Sequence, residues 1–355
     1  MIACVSGGKG IGRPQSRNPL PLFTPDHMQA ELQNLQVQKR VAIISVAILA
    51  FKCWAYFATH SVSILTDALE SIVNVTAGFI GLYSLYIAAQ PKDKEHPYGH
   101  GKAEFISAAV EGTMIALAGL IILYRSIEKL IQPSPVHRLD FGIVLVASTA
   151  LMNIFLAQYC LRVGKRNHSL ALMASGQHLR TDAFSTLGVV VGLIVLYLTG
   201  WKWIDPVLAI GLGIYIVYTG YGILRKSIGG IMDEADHLLL GQFVELLNRE
   251  RQSAWIDLHN LRVIRYGTKL HVDCHLTLPW YLNVHEAHRE VDALSEKIRA
   301  EFGESIELFV HTDGCMPFSC QICDRSDCQV RQHPFEQRLK WTPENVLSDA
   351  KHQLI

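Results

Sequence analysis

Six stretches of the chain stay apolar for long enough, or nearly so, to cross a bilayer, which takes about 20 mostly apolar residues. They cover 41–59, 62–89, 105–124, 140–161, 172–198 and 204–224, and the short polar loops between them predict a compact helical bundle. Beyond residue 228 the period changes. Residues 236–252 repeat as a helix, 258–267 and 269–278 alternate as a pair of strands, 284–302 form an amphipathic helix, and 306–313 read as a strand. The order helix, strand, strand, helix, strand predicts a small two-layer α+β unit. The expected division is a disordered head over 1–37, a membrane domain over 38–228, an α+β domain over 229–314 and a Cys-rich tail over 315–355. Within the head a helical pattern begins at Met28, which is also one reading of the native start. Its GGKGIG run has no strand before it and is followed by Pro14, so it is not a dinucleotide fingerprint.

Composition supports the membrane reading. Half of the 355 residues are hydrophobic and 18% are charged, whereas soluble domains carry about a quarter. The formal net charge is zero, so nothing points to nucleic acid as a partner. Basic residues near the span ends set orientation. Lys39, Arg40, Lys92, Lys94, Lys102, Arg162, Lys165, Arg166, Arg225 and Lys226 fall on one side; Arg125, Lys129, Arg138 and Lys202 fall on the other. Both termini are therefore expected in the cytoplasm. No apolar run near the start is long enough for a signal peptide, and the expected location is a bacterial-type plasma (inner) membrane.

Carboxylates inside apolar spans are the first candidate chemistry. Asp67, Glu70 and Asn74 recur at i, i+3 and i+7, one helix face, where each charge costs about 2.5–3.5 kcal/mol at bilayer depth. The fifth span carries His178 and Asp182 at i and i+4. Glu70, Asn74, His178 and Asp182 together make a four-ligand set of imidazole and oxygen donors, suited to Zn²⁺ and neighbouring divalent metals. Two carboxylates balance one divalent cation. Asp67 lies one turn earlier, placed to line the path or hold a ligand. The loop after the second span offers Asp93, His96 and His100. In the α+β unit, His271, Asp273 and His275 alternate on one strand face, His285 and His288 share a helix face, His311 and Asp313 share a strand face, and His259 precedes the first strand. Four of the eight cysteines, Cys315, Cys320, Cys323 and Cys328, crowd together near His333; as thiols kept reduced in the cytosol they are auxiliary metal candidates or redox groups.

Taken together, SVSILTDALESIVN, QPKDKEHPYGHGKAE, HLRTD and the histidine pattern of the tail resemble the cation diffusion facilitators over about residues 38–315. The resemblance implies a six-transmembrane-helix bundle with a C-terminal cytoplasmic ferredoxin-like α+β domain, assembled as a homodimer in the lipid bilayer. It implies a transporter and not an enzyme, exchanging a divalent cation for protons. It places transport ligands at Glu70, Asn74, His178 and Asp182, and a loop site at Asp93, His96 and His100. A cytoplasmic two-metal site falls at His259, His275, His288, His311 and Asp313, with His271 and His285 auxiliary. A charge interlock falls at Lys102 and Asp233. Zinc is the first expectation. Zinc-type members have His or Asp followed by Asp where this chain has Glu70 and Asn74, so Fe²⁺, Co²⁺, Mn²⁺ or Ni²⁺ stay as alternatives. A membrane metalloprotease would need H-E-x-x-H; HEAH at 285–288 has the wrong spacing. A metal sensor or storage protein without transport is the remaining class.

Overall fold

The computed structural model describes residues 25–59, 62–131, 142–199, 203–266, 269–303 and 306–354. Some side chains inside its helices, those of Asp67 and Glu70 among them, lie outside the described residues. Six long helices come first: α1 (Pro25–Thr59), α2 (Val62–Ala88), α3 (Ala103–Ile131), α4 (Gly142–Arg166), α5 (Leu170–Thr199) and α6 (Ile204–Ile231). Helix α1 starts at Pro25, so residues 25–37 are helical where a disordered head was expected; the apolar stripe of Val37 and Val41 extends the helix into the bundle and buries it there. Among the described residues, two segments, 103–128 and 206–231, are by themselves long and apolar enough to cross a membrane. Large apolar side chains face outward around the bundle, including Trp54, Phe57, Ile121, Phe155 and Tyr218, as a lipid-facing surface requires.

The most extensive helix–helix contact is between α3 and α6. Glycine makes it possible. A Cβ on Gly220 would stand 2.5 Å from the Ala116 nitrogen, and one on Gly119 would stand 2.8 Å from Val217. Small residues let two backbones approach to this degree inside a bilayer.

The C-terminal unit follows as α7 (His237–Glu250), β1 (Asp257–Tyr266), β2 (Lys269–Leu278), α8 (Val284–Phe302) and β3 (Ile306–Gly314). The Asp236 carboxylate caps α7 by accepting the N–H groups of Leu238 and Leu239. Asn283 and Glu286 form a reciprocal capping box on α8, a motif that satisfies two otherwise orphaned donors. The sheet is mixed, in the order β1-β2-β3: β1 runs antiparallel to β2, and β3 parallel to it. One side of the sheet is covered by α7 and α8, with Phe243 stacked on Phe302 at 4.0 Å and Leu294 and Ile298 fully buried.

Residues past 314 fold back on this unit. A 3₁₀ turn (Pro317–Gln321) leads into irregular chain and then a short helix, α9 (Pro343–Val346). Trp341 is buried in the main core beneath the Arg251 guanidinium, and Asn248 bonds both its N–H and its carbonyl. His352 reaches Asp257 on β1, with its Nδ1 2.6 Å from Oδ1.

Candidate metal centres

The first group lies inside the helical bundle and joins α2 to α5. His178 is buried, with Nε2 2.9 Å from Asn74 Oδ1 and 3.7 Å from Asp182 Oδ2. Its Nδ1 is buried without a hydrogen-bond partner among the described residues. The i, i+4 step on α5 sets His178 and Asp182 one turn apart, and helix packing brings Asn74 across to them. Helix α2 runs unbroken through 67, 70 and 74, while the side chains of Asp67 and Glu70 lie outside the described residues.

Two features of this region escaped sequence reasoning. Lys52 on α1 is only 5% exposed and donates to Ser71 Oγ at 2.8 Å, one residue after Glu70. Glu104 and Glu111 on α3 are also buried, accepting from Ser169 and Ser175 on the α5 side, and Gln38 joins the same network through Ser175. A single ionisable residue in an apolar window was the available signal, since its insertion cost demands a partner.

The loop group is compact. Asp93 Oδ1 accepts the backbone N–H groups of Glu95 and His96 and lies 3.1 Å from His96 Nδ1; Asp93 Oδ2 lies 3.5 Å from His100 Nε2. The His96 backbone bond is the main reason the Asp93 carboxyl sits below the usual carboxylate range. One donor atom from each of the three residues falls within 4.8 Å of the others.

The sheet group is built by register. His259 pairs with His275 across β1 and β2, and His275 pairs with His311 across β2 and β3. Three imidazoles therefore sit side by side at neighbouring-strand spacing, about 4.8 Å. Asp313 completes the group, with Oδ2 3.2 Å from His275 Nδ1 and 3.5 Å from His259 Nε2. The His311 ring lies 4.6 Å from that of His275, tilted by 40°, and reaches Asp313 at 3.8 Å. His259 lies inside β1 and not ahead of it, because the strand begins at Asp257 and a bulge follows between His259 and Arg262. Bulges re-aim side chains in this way; here Asn260 takes a left-handed φ of 49° and approaches His275 Nε2 at 3.3 Å. Behind His259, burial works against the charge on Asp257, but bonds from His259 and His352 hold its carboxyl well below the ordinary range.

Three residues expected near this group stand elsewhere. His288 is exposed on α8, 3.8 Å from Asp292, and His285 is exposed on the same helix. The face that α8 turns to the sheet is chosen by Leu294 and Ile298, and neither histidine shares it. His271 is buried beside Glu307 at 3.0 Å and edge-on to Tyr266, and burial pushes its pKa down to about 4.

Ion pairs stitch the membrane unit to the sheet unit. Lys102, just before α3, meets Asp233, just after α6, at 2.9 Å, and lies over the Tyr266 ring of β1. Lys92, beside the loop group, pairs with Glu307 on β3. Arg225 near the end of α6 pairs with Glu234.

Comparison with known proteins agrees with this layout. Residues 39–232 match the cation efflux transmembrane domain, and residues 242–315 match the cation efflux protein cytoplasmic domain. The chain is 35% identical to an uncharacterized transporter of Synechocystis over 72% of its own length and 82% of the relative's. It is 28% identical to the cation-efflux pump FieF of Shewanella oneidensis, over 78% and 91%. It is 27% identical to FieF of Salmonella arizonae, over 77% and 90%. With the family's membrane and cytoplasmic models both matched in order along one chain, the protein belongs to the cation efflux, or cation diffusion facilitator, family of integral membrane transporters.

Proposed function

We propose that this protein exports a divalent transition metal from the cytoplasm in exchange for protons, with zinc as the first candidate and Fe²⁺, Co²⁺, Mn²⁺ or Ni²⁺ as alternatives. The observation that carries the reading is the meeting of Asn74, His178 and Asp182 from two helices inside the bundle. Glu70, one turn before Asn74, supplies the fourth ligand and the second negative charge. Six membrane spans put both termini in the cytoplasm, and the C-terminal unit pairs two copies into a homodimer.

Coupling follows from ligand chemistry. A ligand must shed its proton to hold metal, so metal affinity falls as pH falls. An imidazole nitrogen holds either a metal ion or a proton, which makes His178 the proton carrier at a site open alternately to each side. Protons arriving from outside displace the ion; on the cytoplasmic side metal displaces the protons. Asp67 holds a ligand or lines the path. In the same reading His259, His275, His311 and Asp313 bind regulatory ions, Asp93 with His96 and His100 gathers metal at the loop, and Lys102 with Asp233 ties the two units.

The test is flux in proteoliposomes. Metal uptake driven by an imposed pH gradient, collapsing when the gradient is dissipated, is the expected result, and competition among the five metals ranks the cargo. Metal binding without gradient-dependent flux would instead make the protein a sensor or store.

A further inference from the structure

The last four cysteines take no part in the proposed transport site. Cys315, Cys320, Cys323 and Cys328 come from an irregular stretch, yet all four line one cavity of about 20 Å³. That is room for about one water-sized sphere. None of the four is in a disulfide. One of the sulfurs has a backbone donor turned towards it. The backbone N–H of Gln332 bonds Cys320 Sγ at 3.5 Å. Tyr281 lines the same cavity beside the four sulfurs. Four sulfurs converging on one cavity without a disulfide are more than packing of an irregular segment requires.

Charge and stability agree. Four thiolates around a divalent cation leave a double negative charge, and the cavity is also lined by Arg325 and Arg331. Arg331 braces the turn by donating to the carbonyls of Cys320, Cys323 and Arg325. The surrounding core is small: Ile256, Ile322 and Cys323 are its buried members. Segments with so little apolar burial and so little regular structure need a staple such as a metal. Soft thiolate donors in a closed four-ligand set select zinc.

We propose that Cys315, Cys320, Cys323 and Cys328 form a tetrahedral structural zinc site that fastens the 315–340 segment to the end of β3. The sulfurs surround the cavity, and the ion draws them in to Zn–S distances of about 2.3 Å, releasing the thiol protons to solvent. Cys315 follows Asp313 of the sheet group by two residues, so the site also fixes the strand end that presents that carboxylate. This assignment is independent of the transport reading.

The experiment uses the full chain, purified reduced in detergent and washed with EDTA. Elemental analysis should find a retained zinc ion that is lost in C320S/C323S. After demetallation, Co²⁺ reloading should give the sulfur-to-cobalt charge-transfer bands of a tetrahedral thiolate site, which the imidazole–carboxylate groups cannot produce. Those bands should persist in D182A, which would lose flux under the transport reading. Because misfolding of C320S/C323S would also empty the site, C323H serves as a second variant: it should keep the zinc and shift the cobalt spectrum. Unchanged zinc content in C320S/C323S, absence of thiolate–cobalt bands in the wild type, a disulfide among the four, or rapid alkylation of all four in the washed protein would each overturn the site. An iron-containing, coloured preparation would overturn its assignment to zinc.

Discussion

The bundle group and the sheet group use nearly the same side chains but are assembled by different physics. In the bundle, helix spacing places His178 over Asp182, and packing of α2 against α5 supplies Asn74. In the α+β unit, hydrogen-bond register across three strands sets His259, His275 and His311 in a row. The first arrangement can change when helices shift by an ångström or two. The second is fixed by backbone pairing and cannot open without breaking the sheet. A site meant to release its ion suits the first, and a site meant to hold one suits the second.

Four substitutions test that contrast, the largest effect first. Asp182→Ala removes one of the two charges that balance the ion, and flux in proteoliposomes should fall to the level of empty vesicles, while metal binding by the sheet group is unchanged. Near-normal flux would remove Asp182 from the transport site. His275→Ala takes out the central imidazole of the row. Calorimetric affinity of the sheet group should drop by at least the ~10–100-fold that loss of a supporting group costs at metal sites, with flux reduced but present. If flux vanished as well, the two groups would not be separable. Asn74→Asp adds a third negative charge to the bundle site. Binding there should tighten by about tenfold or more and release should slow, measured as a lower half-saturation and a lower maximal flux; an unchanged half-saturation would mean that Asn74 does not touch the ion. Lys102→Ala breaks a partly exposed pair, of the kind worth about 0–1 kcal/mol, so thermal unfolding should shift by a few degrees at most. A large loss of flux without loss of fold would assign the pair to coupling between the units.

The two regions also differed in how far they could be read from the chain. Spacing was enough to pair His178 with Asp182, because a helix repeats locally. The α+β order was legible from its changes of period. The row of histidines was not, since register is a long-range property and the bulge after His259 leaves no mark in the sequence beyond Asn260. His288 was misplaced for a related reason: which side of α8 meets the sheet depends on Leu294 and Ile298 outweighing everything else on that helix. Lys52 and Glu111 were visible as charges in apolar windows, but their partners, Ser71 and Ser175, are ordinary residues that only tertiary packing brings near.

The glycine seam between α3 and α6 has a mechanical corollary. Backbones in such close apposition leave no slack for sliding, so the pair behaves as an axle. Lys102 before α3 clamps Asp233 after α6 at one and the same end of this axle, and Tyr266 seats the Lys102 ammonium against the sheet. Under the proposed transport reading the stator of the machine would be α3, α6 and the soluble unit, and its rotor the set α1, α2, α4 and α5, which carries Asn74, His178 and Asp182.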